Sequence, residues 1–475
     1  MQIFDRLYGE IKFPDIIQSL LDCPGLLRLR DVRMANNQFV MFPAFSNASR
    51  YEHSLGVCYL AGVCAKSLDL SEKDTIELMM ACLYHDVGTP PFAHAMEEVL
   101  QVEYGFDHEE NLRQIIEGRN DSYAGNLEQI YMGETVKLRS VCQSKQGRRL
   151  GLDIYRIARI IVGDKSDPLS ILLNGNGMDL DNIDNIIRAS SAMGIISAQD
   201  CDLAIRLANS FVFNDKGEIC HNALYLQDIR QWQKIRDEQY TAIFTSTDDF
   251  AYQTMIKKAL SLLIKDHFSE YSLSKDSWKL TDASILHNYL LKNEKSKPIM
   301  SRVLLNKPFR CLAVLYVQGK KVAEYINKHI SEIEDISSEW YQEIMEIPEN
   351  YLHDLSGNNF KPIVANFYPD KRRRQIHTAA YMMGKYLQID DSDECGVEGA
   401  LLGLFTPIVS NNYRTVDLGD GVKTRKVASF TSIDLQSMIA ELKNKILGQY
   451  EVSIYGKQKN KRDSEETSGN QLGLF

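Results

Sequence analysis

Apolar residues recur at helical spacing along most of the chain. In the clearest stretch, Ser71 and Asp74 have the form of a capping box, with Asp74 in the place of the usual Glu or Gln. Apolar positions then follow at i, i+3, i+4 and i+7, namely Ile76, Met79, Met80 and Leu83. Pro90 and Pro91 cannot continue the helical hydrogen bonds, so the pattern predicts a helix that ends at the dipeptide His85-Asp86.

The same periodicity predicts further helices, whereas strand patterns are few. The other predicted helices cover residues 53–68, 94–102, 108–117, 152–162, 181–194, 251–266, 320–333 and 432–447. Only residues 218–226 and 451–455 show short strand patterns. We therefore predict a mainly α fold with little β structure.

Changes in composition predict three regions. Residues 350–366 mix Gly, Asn and Pro, and we expect them to separate a core over residues 1–345 from a mostly helical accessory region over residues 346–455. Residues 457–470 are polar and charged and offer no apolar side chain to a core. We therefore predict a disordered tail over residues 456–475.

Composition and charge exclude several classes of protein. Of the 475 residues, 44% are hydrophobic and 25% charged, close to the globular average, which excludes wholesale disorder. The net charge of −10 gives no global attraction to nucleic acid. Nine cysteines without a C-x-x-C pair indicate reduced thiols rather than a disulfide framework or a zinc ribbon. The N-terminus lacks the apolar run of a signal peptide, and no stretch approaches the ~18 apolar residues of a membrane span, so we expect a cytoplasmic protein without membrane contact.

Histidines are concentrated in one short part of the chain. Four of the ten lie close together in sequence, namely His53, His85, His94 and His108. Imidazoles cluster for metal binding or proton transfer, because their neutral nitrogen ligates metals and their pKa lies near working pH. A second His-Asp pair, His353-Asp354, has no other histidine nearby, and we interpret it as a surface loop.

Two further residues could bind a metal together with the pair His85-Asp86. His53 lies upstream at the start of a predicted helix, and Asp181 lies downstream at the start of another. Two imidazoles and two carboxylates would hold one divalent metal and leave positions open for water and phosphate oxygens. Such mixed nitrogen and oxygen donors suit Mn, Fe, Co, Ni or Zn.

A long stretch of the chain resembles a known family. The stretch from Ile11 to Gly194 resembles the HD-domain deoxynucleoside triphosphate triphosphohydrolases, which implies an HD-domain helical bundle with an additional C-terminal helical region. The matching motifs, in order, are Arg28-Leu29-Arg30, Phe42-Pro43, Arg50 through Val57, Tyr59-Leu60-Ala61-Gly62, His85-Asp86-Val87-Gly88, Pro91-Phe92-Ala93-His94, His108-Glu109 and residues 179–188. A weaker similarity continues through Ala251-Tyr252-Gln253 and Leu280-Thr281-Asp282 to about Arg310.

The resemblance implies a role for each matching side chain. The implied metal ligands are His53, His85, Asp86 and Asp181. His94 and His108 are implied to act as general acid and to orient the attacking water, with Glu97 as the partner of His94. Arg50 is implied to contact the α-phosphate, and Tyr252 and Gln253 to recognise the sugar and the base.

The implied reaction is water attack on the α-phosphorus of a deoxynucleoside triphosphate (dNTP), which releases a deoxynucleoside and inorganic tripolyphosphate. The resemblance also implies one divalent transition metal at the HD site, Mg²⁺ accompanying the substrate triphosphate, and a homo-oligomer.

A few positions depart from the family pattern. Thr89 stands where the family often has His, and Asn182 stands where it has a phosphate-contacting Lys. Asn185 replaces a Tyr beside the sugar, and Met34-Ala35 replaces a Gln-Leu pair near the base. The preferred base therefore stays open. So does a second hypothesis, an HD-type phosphodiesterase, nucleotidase or nuclease that acts on another phosphoester. A third is a non-catalytic nucleotide-binding module, although the complete set of metal ligands argues against it.

The chain ends in a peptide that resembles the bacterial sliding-clamp-binding motif. Its residues are Gln471-Leu472-Gly473-Leu474-Phe475. Leu474 and Phe475 would anchor in an apolar pocket, Leu472 belongs to the same motif, and Gln471 would make polar contacts. The alternative is docking onto this protein's own body or another subunit. Clamp binding would place the enzyme at DNA replication, with single-stranded DNA as a further partner.

Overall fold

The structure is a computed structural model, and the part of the chain it describes is interrupted. It describes residues 2–35, 42–117, 137–175, 178–197, 200–244, 247–267 and 269–318 and, beyond residue 318, only short strands. The chain divides into two compact units. The first comprises Met1–Gln239, Leu260–Glu294 and Gln375–Glu394, and the second comprises Tyr240–Ala259, Lys295–Arg374 and Cys395–Phe475.

Helices dominate the described residues before the long C-terminal strand region, which confirms the predicted mainly α fold. The helices are α1 (Asp15–Gln18), α2 (Pro24–Arg28), α3 (Pro43–Ser46), α4 (Arg50–Ser67), α5 (Glu72–Tyr84), α6 (His94–Tyr104), α7 (His108–Ile116), α8 (Leu138–Gln143), α9 (Lys145–Leu150), α10 (Ile154–Ile161), α11 (Leu180–Met193), α12 (Leu203–Ala208), α13 (Leu226–Phe244), α14 (Thr247–Ile264), α15 (Asp282–Ile285) and α16 (Lys297–Leu304). Among them, α4, α5, α6, α7, α10, α11 and α14 lie close to their predicted positions. Helix α13 was not predicted.

Strands form small antiparallel sheets. They are β1 (Ile3–Asp5), β2 (Gly9–Ile11), β3 (Phe211–Phe213), β4 (Ile219–Asn222), β5 (Arg310–Gln318), β6 (Ala365–Pro369), β7 (Tyr381–Met383), β8 (Tyr386–Gln388), β9 (Gly399–Thr406), β10 (Tyr413–Arg414), β11 (Val427–Ala428) and β12 (Ser453–Tyr455). In the first unit β1 pairs with β2, and a four-stranded sheet has the order β3-β4-β8-β7. In the second unit a four-stranded sheet has the order β12-β5-β9-β6, and β10 pairs with β11.

Strands β4 and β12 lie within the two predicted strand stretches, but the strands between them were not predicted. The sequence of β5, RCLAVLYVQ, is a continuous apolar run, and periodicity cannot distinguish such a run from a buried helix segment. The predicted helices over 320–333 and 432–447, the boundary at residue 345 and the tail over 456–475 lie outside the described residues and stay predictions. Within the described part of the chain, none of the helices combines the length and the apolar character that crossing a membrane requires.

Helix α4 packs against α5, α11 and α12 in the first unit. The Ser49 hydroxyl caps its first turn by accepting the backbone N–H of Glu52 at 3.3 Å. Gly56 allows a close approach one turn later, because a Cβ there would lie 2.1 Å from a carboxylate oxygen of Asp184 on α11. The first turn of α4, with His53, therefore lies directly against α11.

The segment between α5 and α6 makes a tight turn around the His-Asp dipeptide. Helix α5 ends at Tyr84, and His85 is its C-cap, as the prolines predicted. Gly88 passes so close to α7 that a Cβ would lie 2.5 Å from the carbonyl oxygen of His108. The turn then leads into His94, the first residue of α6.

The buried guanidinium of Arg28 holds this turn in place. Its Nη2 donates to the carbonyl oxygens of Val87 and Thr89, at 3.0 and 2.6 Å. Its Nη1 donates to the carbonyl oxygens of Trp278 and Leu280, both at 3.0 Å. A planar fork of donors can serve several acceptors at once, which Lys cannot do. Arg28 therefore ties the segment after His85-Asp86 to a segment far along the chain.

We expect Arg28→Met to lower the free energy of unfolding by about 3 kcal/mol or more, because buried carbonyl groups lose charged donors. The exposed Arg30 provides the matched control, and Arg30→Met should change the free energy by well under half that amount. Equilibrium urea denaturation measures both. Equal effects of the two substitutions would contradict this role for Arg28.

Candidate metal centre

Three separate segments bring four side chains to one point. His53 lies in the first turn of α4, His85 and Asp86 follow the end of α5, and Asp181 lies in the first turn of α11. Asp179 caps α11, since its carboxylate accepts the backbone N–H of Asn182 at 2.8 Å. The packing of α4 against α5 and α11 therefore joins residues that are far apart in sequence.

The distances within this group suit the ligands of one ion. Nε2 of His53 lies 2.7 Å from Oδ1 of Asp181, and Nε2 of His85 lies 3.6 Å from the same oxygen. Oδ2 of Asp86 lies 4.0 Å from Nε2 of His53 and 3.7 Å from Nε2 of His85. Ligands bonded at ~2.1 Å to one metal are ~3.0–3.5 Å apart, so small adjustments would seat an ion.

Both imidazoles have their Nδ1 atoms occupied by protein groups. In the tautomer protonated at Nδ1, His53 donates to Oδ2 of Asp184 at 2.8 Å, and His85 donates to the carbonyl oxygen of Cys82 at 2.8 Å. These bonds leave the Nε2 lone pairs directed at the group of four side chains. Metal-ligating histidines are commonly oriented in this way by a carboxylate or a backbone carbonyl.

Asp184 is a functional residue that the sequence analysis missed. Its fully buried carboxylate also accepts the Tyr8 hydroxyl at 2.6 Å and the Arg188 guanidinium at 2.8 and 3.0 Å. Arg188 in turn forms an ion pair with Asp5 at 3.0 Å. The available signal was its spacing, because Asp184 lies one helical turn after Asp181 and one turn before Arg188.

The group as a whole favours positive charge. Burial lowers the pKa of the His53 imidazole, but its hydrogen bonds to Asp181 and Asp184 and their charges raise it to about 10. Burial raises the pKa of Asp181, yet the imidazoles of His53 and His85 hold it well below its usual range. A divalent ion would supply the charge that these carboxylates favour, and it would displace protons from the imidazoles.

Two buried atoms support a metal more directly than the distances do. Nε2 of His85 and Oδ2 of Asp86 are buried and have no hydrogen-bond partner among the described residues. The other oxygen of Asp86 is occupied, because Oδ1 accepts from Nη1 of Arg50 at 2.6 Å and from the Thr89 hydroxyl at 3.0 Å. Buried polar atoms are nearly always paired, so a ligand facing both atoms would complete the group. The four residues therefore fit a divalent metal.

Three further predicted residues, His94, Glu97 and His108, form a hydrogen-bonded cluster beside this group, which we call the Glu97 unit. Glu97 accepts from Nδ1 of His94 at 3.3 Å through one carboxylate oxygen and from Nδ1 of His108 through the other. Burial lowers the pKa of His108, but its hydrogen bond to Glu97 and that residue's charge raise it above its ordinary value. The structure thus adds a link between Glu97 and His108 to the predicted link between Glu97 and His94.

The four side chains of the His/Asp group line one open cleft together with His94, Glu97 and His108. Arg50 is the only Lys or Arg among the described residues that line it, and its buried Nε has no partner among the described residues. The lining residues are Met34, Arg50, His53, His85, Asp86, Thr89, His94, Glu97, His108, Glu109, Ile161, Asn174, Asp181 and Asn185.

The remaining predicted residues are not among the described residues that line the cleft. Tyr252 is buried in α14 and Gln253 follows it, and both belong to the second compact unit, so their roles stay predictions. The predicted clamp-binding residues, 471–475, lie outside the described residues. Clamp binding, single-stranded DNA and a homo-oligomer likewise stay predictions from sequence.

Comparison with known families finds a match over part of the chain that carries this site. Residues 50–136 match the HD domain family. The matched range contains every predicted metal ligand except Asp181, and it also contains His94, Glu97 and His108. The His/Asp group that the structure assembles is therefore consistent with metal binding by an HD domain.

Two relatives named as deoxynucleoside triphosphate triphosphohydrolases match part of this chain. The chain is 26% identical over 278 residues to the deoxynucleoside triphosphate triphosphohydrolase SAMHD1 homolog of Dictyostelium discoideum, across 56% of this chain and 49% of that protein. It is 35% identical over 105 residues to deoxynucleoside triphosphate triphosphohydrolase SAMHD1 of Mus musculus, across 20% of this chain and 16% of that protein. The chain thus matches half or less of the length of these relatives.

A solved structure shares the fold. The crystal structure of a hypothetical protein from Aquifex aeolicus aligns with a TM-score of 0.58 at 18% identity, covering 86% of this chain and 96% of that one. At this identity the similarity concerns the fold alone.

We expect His85→Ala and Asp181→Ala to abolish stoichiometric metal binding, because each removes a donor that the other ligands cannot replace. The exposed His267 provides a control, and His267→Ala should retain the metal. Elemental analysis of the purified proteins measures the metal content. Full metal content in both ligand variants would exclude this group as the binding site.

Proposed function

We propose that this chain, an HD-domain protein distantly related to the SAMHD1-like dNTP triphosphohydrolases, is a metal-dependent hydrolase of deoxynucleoside triphosphates. The products would be a deoxynucleoside and inorganic tripolyphosphate. One observation carries the proposal: the metal-binding group, Arg50 and the Glu97 unit line a single cleft.

His53, His85, Asp86 and Asp181 would hold one divalent ion, with Mn, Fe, Co, Ni and Zn as the candidates that the donor atoms suit. When bound, this ion supplies a water of lowered pKa and positive charge for the phosphate oxygens. Asp184 and the carbonyl group of Cys82 keep the two imidazoles in the tautomer and the orientation that binding needs.

Arg50 is the phosphate contact in this proposal. Its Nη1 is anchored on Asp86 and its side chain lines the cleft, so the guanidinium lies beside the His/Asp group, where a phosphate oxygen would bind. Guanidinium groups bind phosphate oxygens strongly because the hydrogen bonds are charge-assisted. Arg50 would thereby align the α-phosphate.

The Glu97 unit would donate a proton and orient water in this proposal. Glu97 holds both imidazoles by their Nδ1 atoms and so leaves each Nε2 free to face the substrate. Because Glu97 raises the pKa of His108, this imidazole is more often protonated and can donate a proton to the leaving oxygen. The exposed His94 would orient the attacking water.

The charge of the cleft favours a substrate that arrives with its own cation. Among the described lining residues, four carboxylates face one fixed cation: Asp86, Glu97, Glu109 and Asp181 against Arg50. One divalent ion and the protonated His108 would, with Arg50, only balance these carboxylates, so the lining offers a free triphosphate no net positive charge and we expect Mg²⁺ to accompany it. Tyr252 and Gln253 would recognise the sugar and the base.

The same charge count supports a second candidate, hydrolysis of a less charged phosphoester such as a nucleoside monophosphate or a phosphodiester. Asn182 stands where the family has a phosphate-contacting Lys, and its amide donates to both carboxylate oxygens of Asp179 at 3.1 and 3.0 Å. Neither Asn182 nor any Lys lines the described part of the cleft.

We expect the purified protein, loaded with Mn²⁺ and supplied with Mg²⁺ and each dNTP in turn, to release deoxynucleoside and tripolyphosphate. Asp181→Ala should abolish the reaction. Anion-exchange chromatography of the products distinguishes the two candidates. Turnover of monophosphates or single-stranded DNA with no turnover of any dNTP would reject the first candidate and support the second.

We expect the pH profile of kcat/KM to fall on its alkaline side as His108 loses its proton, since the protonated imidazole is the proposed acid. Glu97 raises the pKa of His108, so Glu97→Gln should lower this pKa and move the alkaline limb toward lower pH. Rate measurements from pH 6 to about pH 10 test this. An alkaline limb at the same pH in the variant would refute the assignment.

A further inference from the structure

The turn that precedes His94 has a strained backbone. Phe92 and Ala93 have φ values of +57° and +47°, in the left-handed region that residues with a Cβ rarely adopt. Ala93 is fully buried and is the N-cap of α6, with a ψ of −130°. Such a conformation persists only where surrounding contacts enforce it. Relaxation of either residue would move His94, which comes next.

A buried carboxylate holds this turn from across the first unit. Oδ1 of Asp282, the first residue of α15, accepts the backbone N–H of Phe92 at 2.8 Å. Its Oδ2 accepts the backbone N–H of Arg33 at 3.1 Å. Asp282 is 8% exposed, so water competes little for these two bonds. One side chain therefore joins two segments that are distant in sequence.

The Arg33 end of this bridge continues to the start of α4. Arg33 pairs with Ser49 in an antiparallel bridge, and the backbone N–H of Arg50 donates to the carbonyl oxygen of Val32 at 2.9 Å. The N–H of Met34 donates to the carbonyl oxygen of Ala48 at 2.9 Å. Through this pairing, the position of Arg33 fixes the position of the first residue of α4, Arg50.

We propose that Asp282 is a positioning residue that sets the separation between His94 and Arg50 in the cleft. This inference rests on the proposed function for its catalytic consequence, because His94 is the group that orients water and Arg50 the group that aligns phosphate. Asp282 holds the backbone beside each of them and lies outside the lining of the cleft. Both carboxylate oxygens of Asp282 accept hydrogen bonds, as the two N–H groups require. The amide of an asparagine would instead turn an N–H₂ donor toward one of these N–H groups.

The substitution Asp282→Asn tests this role with little change in volume. Displacement of reacting groups by about 1 Å can cost about 100-fold in rate, so we expect kcat to fall at least tenfold. The metal content and KM should stay within about twofold, because the metal ligands are held by other contacts. Asp276→Asn, the same change at an exposed carboxylate six residues earlier, is the matched control and should leave kcat unchanged.

Hydrogen exchange separates this inference from the proposed function, because it needs no substrate. In Asp282→Asn the backbone amides of residues 92–97 should exchange at least tenfold faster than in the wild type, while the core of α5 keeps its protection. In Asp276→Asn neither should change. Unchanged exchange over residues 92–97 would overturn the inference. So would faster exchange throughout the first unit together with loss of metal, since Asp282 would then be merely structural. If the wild type hydrolyses no dNTP, only the proposed function fails, and the exchange rates still decide this inference.

A rescue experiment tests whether Asp282 acts through the strained turn. Glycine adopts the backbone angles of Ala93 without strain, so the turn would depend less on the carboxylate in an Ala93→Gly background. We expect the double variant Asp282→Asn/Ala93→Gly to show a kcat at least threefold above that of Asp282→Asn and slower exchange at residues 94–97. A double variant no better than Asp282→Asn in both measurements would overturn this mechanism of action.

Discussion

The close approach of two imidazoles and two carboxylates in a buried place is the constraint on which the rest of the first unit depends. Nε2 of His53 and Nε2 of His85 lie 2.7 and 3.6 Å from Oδ1 of Asp181, and 4.0 and 3.7 Å from Oδ2 of Asp86. Buried carboxylates without compensating charge are costly, so this arrangement requires cations. The surrounding structure holds the imidazoles in place. Asp184 orients one imidazole, a backbone carbonyl orients the other, and α4 approaches α11 closely at Gly56, which has no side chain.

Buried charged side chains also fix backbone segments outside the His/Asp group. Arg28 holds the carbonyl groups of the turn after His85-Asp86, and Asp282 holds the N–H group of Phe92 near the end of that turn. Both contacts join it to the segment around residues 278–282. A turn that carries groups for phosphate chemistry is thus fixed from its two ends by charged side chains buried in the protein, whose bonds to backbone groups are stronger than neutral ones.

Much of this could be predicted from the sequence, for identifiable reasons. Helical periodicity predicted the helices that carry the site, and ordered motifs singled out the four side chains of the His/Asp group and the pair His94 and Glu97. The link between Glu97 and His108 came only from the structure. Asp184 and Asp282 lie within segments that match the family, but the sequence analysis assigned them no role because their buried partners are known only from the structure. Helix α13 was missed because its few buried apolar residues, Ile229, Trp232 and Ile235, are separated by charged and polar ones. The strands from β5 to β11 were not predicted, and a continuous apolar run such as β5 carries no distinguishing period.

The central claim is that the His/Asp group holds one divalent metal and that this ion completes the cleft. Crystals of the Mn²⁺-loaded protein, measured with anomalous scattering at the manganese edge, test it most directly. The account predicts a single strong anomalous peak bounded by Nε2 of His53, Nε2 of His85 and the carboxylates of Asp86 and Asp181. A protein that carries stoichiometric manganese but shows its peak at another place would contradict the account.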